Sequence, residues 1–148
     1  MLRDIGNQVA TAEGSVEYGV HHLHTPLLML DGHSMCGAVK VAMGDYSKLA
    51  PAIKRDFDSI NVSAGNSENS ISVMHAVEEN VNKQVEHAIK MFQQELTEGK
   101  LIIIGAVCDF RNDYKHGYGC LVLTNVNDEK DPNKIMELIG FSKDAIVE

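Results

Sequence analysis

The sequence predicts an α/β fold, a mainly parallel β-sheet flanked by helices with an antiparallel strand at its C-terminal edge, and three observations carry it. Two apolar runs without alternation, Leu27 to Leu30 and Leu101 to Cys108, suit strands buried on both faces, as in parallel sheets. The order of strand, helices, strand, hairpin strand and final helix is that of α/β proteins. With 5% aromatic residues and no Trp, the core must be built from Val, Ile, Leu, Met and Ala, which suits layered α/β packing better than an aromatic sandwich.

The elements follow in chain order. Val16, Val20 and Leu23 recur at helical spacing, and Ser15 is a plausible cap, so residues 13 to 24 read as a short helix ending near His24. Thr25-Pro26 stops it, because the residue before proline is pushed out of the α region. Leu27 to Leu30 is the first strand, and Asp31 to Gly37 a turn with two glycines, after which Ala38 to Met43 resumes with helical residues. Asn61 to Asn69, rich in Asn and Ser, reads as a loop. From Ser67 to about Thr97, apolar residues at Met74, Val77, Val81, Val85, Ala88, Ile89, Phe92 and Leu96 step by threes and fours, the strongest helix of the sequence, with Gly99 as its stop. Leu101 to Cys108 is β-branched and strand-like. Cys120 to Val126 forms the next strand, joined through a polar loop containing Gly117 and Gly119, and a helix spans about Asn133 to Ile139.

At 148 residues the chain is expected to form one domain, 1–148. Its formal charge of −8 repels a phosphate backbone and argues against nucleic acid. No apolar run reaches the ~20 residues that span a bilayer, and the first residues lack a secretory core, so no membrane partner is expected and a cytoplasmic location is the default. Three cysteines cannot all pair, so Cys36, Cys108 and Cys120 are expected as thiols or metal ligands.

Chemistry concentrates in Leu30-Asp31-Gly32-His33-Ser34-Met35-Cys36-Gly37, at the carboxyl end of a buried strand, where open α/β sheets bind ligands. A histidine and a cysteine three apart can direct nitrogen and sulfur at one point, a donor pair that suits zinc. Two donors make half of a four-coordinate site. A buried thiol beside a hydrogen-bonded histidine in a tight turn explains the same spacing.

Ser15-Val16-Glu17-Tyr18-Gly19-Val20, followed by Leu27 to Val39 with its Gly-His-x-x-Cys-Gly element, resembles the central signature of the β-class carbonic anhydrases. Arg3-Asp4-Ile5-Gly6-Asn7 resembles that family's Arg-Asn-x-Gly-Asn segment, with Asp4 in place of Asn. The strand ending at Asp109 and its hairpin resemble the family's C-terminal strands more loosely. The resemblance implies zinc as cofactor, with His33 and Cys36 as ligands, Asn7 and Gly37 at the substrate pocket, and reversible hydration of CO2 to bicarbonate. It also implies a homodimer or higher homo-oligomer. The family's first ligand lies in a Cys-x-Asp-x-Arg motif before the Arg-Asn-x-Gly-Asn segment, on a central strand, and the sequence given starts at that segment. No catalytic residue is therefore assigned, and this chain alone is expected to be impaired. A noncatalytic metal- or anion-binding relative and a hydrolase of carbonyl sulfide or carbon disulfide are the alternatives.

Other candidates have plainer readings. Cys108-Asp109-Phe110-Arg111 holds the right residue types, but one residue short and on a different strand, so coincidence is preferred. Cys120 reads as a packing residue, His116 as solvated, Tyr18 as a core tyrosine, and His21, His22 and His24 as exposed rather than a proton relay.

Overall fold

The structure, a computed structural model, describes residues 1–140; the end of the expected 1–148 domain lies outside them. The elements are α1 (Glu13–Glu17), a π-helical turn (Tyr18–His22), β1 (Leu27–His33), α2 (Gly37–Ala42), α3 (Pro51–Phe57), α4 (Ser70–Met91), α5 (Gln93–Thr97), β2 (Ile102–Asp109), β3 (Cys120–Val126) and α6 (Pro132–Leu138). The strands form one mixed sheet in the order β1-β2-β3. β1 and β2 run parallel, in register from Leu27 opposite Ile102 to His33 opposite Cys108. β2 and β3 are antiparallel, with an irregularity between Gly105 and Ala106. The α/β class and the antiparallel edge strand are as the sequence predicts.

α4 organises the fold. Asn69 caps it, its side-chain oxygen accepting from the backbone N–H groups of Ile71 at 2.9 Å and Ser72 at 3.2 Å. Val73, Val77, Val81, Val85 and Ala88 line one stripe and are almost wholly buried. The N-terminal half of that stripe packs with Cys36, Val39, Met43, Phe57 and Val107, and the C-terminal half with Val9, Val16, Val20, Leu30, Phe92 and Ile103. Each such burial contributes about 1.5–3 kcal/mol. The helix lies close on the sheet because Gly32 and Gly105 have no side chain. A Cβ on Gly32 would stand 2.8 Å from a Val81 methyl, and one on Gly105 the same distance from the other.

Several expectations are corrected. β1 is not covered on both faces: its burial alternates, and Leu27 (44% exposed) and Met29 (40%) lie open. The physical reason is position, since β1 is an edge strand and the helices pack on the α4 side. Across the sheet, among the described residues, α6 covers Ile104, Val126 and Leu123 through Ile135 and Ile139. β1 also runs through Asp31 to His33 rather than turning at Asp31. The helix expected over 13–24 stops being α-helical at Glu17, and a π turn follows, with Leu23 N–H bonded to the Tyr18 carbonyl at 3.1 Å. Its N-cap is Ala12, not Ser15, and Tyr18 is exposed rather than core. The long helix breaks at Phe92, whose φ of −115° and ψ of 32° interrupt the ladder while its ring is fully buried. α3 is an additional helix. No helix among the described residues is long and apolar enough to cross a membrane.

Candidate metal centre

β1 ends at His33, and the chain turns through Ser34, Met35 and Cys36 into α2. The turn is fixed to β2 at two points: Ser34 N–H donates to the Cys108 carbonyl at 3.0 Å, and Phe110 N–H donates to the Ser34 hydroxyl at 3.0 Å. Met35 takes a positive φ of 55°, which swings the backbone so that Cys36, with φ −53° and ψ 120°, stands at the N-cap of α2.

His33 is exposed and its Nδ1 lies 3.1 Å from its neighbour's carbonyl, that of Ser34. With Nδ1–H as the donor, Nε2 carries the free lone pair, the arrangement in which an outer carbonyl fixes the tautomer of a metal-ligating histidine. The ring stands 6.1 Å from that of Phe110. Cys36 is 7% exposed and belongs to the cluster with Val39 and Val107. Gly37 is exposed, and a Cβ there would meet nothing within 4 Å, so open space adjoins Cys36. Thus His33, Cys36 and Gly37 share one strand-to-helix turn.

Asn7 is elsewhere. Its left-handed backbone (φ 49°) follows Gly6, and Asn80 of α4 donates to the Asn7 side-chain oxygen at 2.9 Å and to the Gly6 carbonyl at 2.8 Å. Gln8 and Gln84 extend this into a buried amide clamp: Gln84 donates to the Gln8 oxygen at 2.9 Å and accepts from Val9 N–H at 2.9 Å. The Asn7 amide nitrogen is buried without a partner. Among the described residues, no hydrogen bond joins Asn7 to the β1 turn.

Cys108 is the register partner of His33. Its thiol is pushed up, chiefly by desolvation and then by Asp31, Asp109 and Cys120, so the thiolate form is disfavoured. The Asp31 carboxyl is also raised by partial desolvation, against the lowering from the Cys108 N–H and the His33 charge. Asp109 serves its own loop. It accepts from Arg111 N–H at 3.1 Å and Tyr114 N–H at 2.9 Å, while its carbonyl accepts from Gly119 N–H at 2.7 Å. Cys120 donates to the His116 carbonyl at 3.1 Å. His21 is not merely solvated; its Nδ1 lies 3.0 Å from Glu95 and its ring packs edge-on to Phe92.

The donor types at the β1 turn are those zinc takes, but their number is short. Among the described residues, no three His, Cys, Asp or Glu side chains are gathered to hold a metal ion.

Comparison with known proteins bears on the family and the fold. The family model described as carbonic anhydrase matches residues 1–114. No curated protein matches the sequence. A Coccomyxa β-carbonic anhydrase, solved in complex with acetazolamide, superposes with a TM-score of 0.62 at 22% identity, over 73% of this chain and 55% of that one. One of two tetrameric β-carbonic anhydrases of Sordaria macrospora gives 0.64 at 19%, over 82% and 66%. A β-carbonic anhydrase of Aspergillus fumigatus gives 0.66 at 18%, over 96% and 70%. At these identities the likeness is one of fold, and the matched part of this chain spans little more than half of the Coccomyxa protein.

Proposed function

Since the chain belongs to the carbonic anhydrase family, we propose that it carries the histidine–cysteine half of a zinc site, His33 and Cys36, in a protein whose reaction is reversible hydration of CO2 to bicarbonate. The observation that carries this reading is the β1 turn, where the Ser34 carbonyl takes the Nδ1–H of His33 and leaves Nε2 to ligate. What zinc supplies in a complete site is Lewis-acid activation of water near neutral pH. With two donors present and no third gathered, no step is assigned to this chain alone. Its own residues would contribute ligation at His33 and Cys36, open space for a small substrate at Gly37, and a spare amide donor at Asn7 held by Asn80. Assembly with further copies is part of the proposal, supported by the tetrameric neighbour and by the open face of β1.

Metal analysis and a CO2 hydration assay on the same preparation test this. Residues 1–148 are expected to hold zinc weakly and hydrate CO2 slowly, and Cys36→Ser or His33→Ala to weaken zinc by at least ~10-fold, while Cys108→Ser leaves it unchanged. Zinc binding indifferent to both His33 and Cys36 would overturn the site. Tight zinc with no activity, even beside an added chain bearing a third thiolate, would favour a noncatalytic metal-binding relative.

A further inference from the structure

We propose a second binding site, for the oxyanion of a small molecule, in the groove between the N-terminal segment and the outer face of α4. A cavity of about 350 Å3 opens there, with Lys83, His87 and Lys90 on one wall and Ser59 and Asn61 on the other, over the amide clamp. That volume sits at the lower end of the range for small-molecule sites.

Spacings of four and three residues bring the three basic side chains onto one stripe of the helix. In a chain of formal charge −8, the groove lining carries two lysines against one carboxylate. The acid lining the groove is Glu86, and its carboxylate lies 3.4 Å from Lys130. Lys83 is anchored at the groove wall, 2.7 Å from Glu79 and bonded to the Asn61 carbonyl. Among the described residues, Lys90 and His87 have no ion pair, so their donors are free to meet a ligand. The Ser59 hydroxyl is spent on the Asp56 carbonyl at 2.7 Å, which leaves the Asn61 side-chain amide as the neutral donor of the opposite wall. Lysine ammonium groups with an amide donor are a set that suits phosphate or carboxylate-type oxygens.

The groove is separate from the β1 turn. Gly32 meets α4 at Val77 and Val81, and at 1.5 Å rise per residue the groove residues from Lys83 to Lys90 lie roughly 3 to 14 Å beyond Val81 along the helix. None of the groove's lining residues belongs to the β1 turn, so anion affinity and zinc content are read on different side chains.

The test is a titration of residues 1–148 with inorganic phosphate and, separately, with bicarbonate at constant ionic strength, following backbone amide shifts by NMR. Saturable shifts centred on Lys83, His87 and Lys90 are expected, and whichever probe saturates at lower concentration identifies the anion. In the double variant Lys90→Ala with His87→Gln, both positions being exposed, affinity should fall at least ~10-fold with an unchanged circular dichroism spectrum and zinc content. Unaltered affinity in that variant, or no saturation with either anion at millimolar concentrations, would overturn the proposal.

Discussion

Asp109 is a buried carboxylate that the sequence presents within Cys108-Asp109-Phe110-Arg111, and its hydrogen bonds serve its own loop. Burial alone would raise its pKa, but N–H groups of Tyr114, Asp113, Arg111 and Asn112 outweigh that and hold it below the usual carboxylate range. A lowered pKa in the folded state means that the stabilisation is present above the unfolded value near ~4 and is lost as pH falls through the folded value. Asp109→Asn should cost about 2 kcal/mol at neutral pH, the order for charge-assisted hydrogen bonds. Urea unfolding at pH 7 and again in acid checks this, since the gap between wild type and variant must narrow as pH drops. An equal gap at both would mean that the charge is immaterial. The amide clamp was hidden for a related reason. Asn80 and Gln84 sit on the apolar stripe between Val77 and Val85, where a reading by hydropathy registers polar interruptions and cannot see that Gly6, Asn7, Gln8 and Val9 are their partners. The proposed metal ligands, by contrast, can be named residue by residue, because a Gly-His-x-x-Cys-Gly element declares donor chemistry at a fixed spacing.

At the scale of elements, periodicity located α4, while runs rich in β-branched and apolar residues located β2 and β3. The run-based reading misjudged the burial of β1, since an unalternating apolar run carries no record of how many faces are covered; Leu27 and Met29 are as apolar as Leu30 and yet exposed. The π turn and the break at Phe92 follow from packing, with His21 set against Glu95 and Phe92, and nothing local in the sequence forces either. The contact between α4 and the sheet makes a sharper expectation. Gly32→Ala introduces a Cβ 2.8 Å from Val81 and 3.1 Å from Val77, both stiff β-branched side chains, so it should destabilise by about 1–3 kcal/mol. Adding Val81→Ala should recover part of that loss despite the cavity it leaves, a coupling that a double-mutant cycle in denaturant measures. Strictly additive losses would show that the helix simply moves away.

For the whole molecule, one sheet face carries nearly all the helices while the other exposes Leu27, Met29, Ile102 and Leu121. Apolar surface of that kind finds a partner, and self-association is the expected one. Sedimentation velocity should give a dimer or larger species for the wild type, and Leu27→Lys with Met29→Lys should weaken assembly by at least ~10-fold. A wild type that sediments as a monomer at working concentration would remove the expectation.

Among the described residues β1 pairs with β2 alone, and this has a temporal consequence. Leu27 meets Ile102 across half of the chain, so β1 leaves the ribosome long before its strand partner exists. At synthesis rates of about 5 to 20 residues per second the interval is roughly 4 to 15 s. For that time the row Leu27, Leu28, Met29, Leu30 lacks β2, and for most of it lacks the complete α4 as well. The nascent chain therefore passes through a stage in which the turn that bears His33 and Cys36 is tethered to an unsheltered apolar strand.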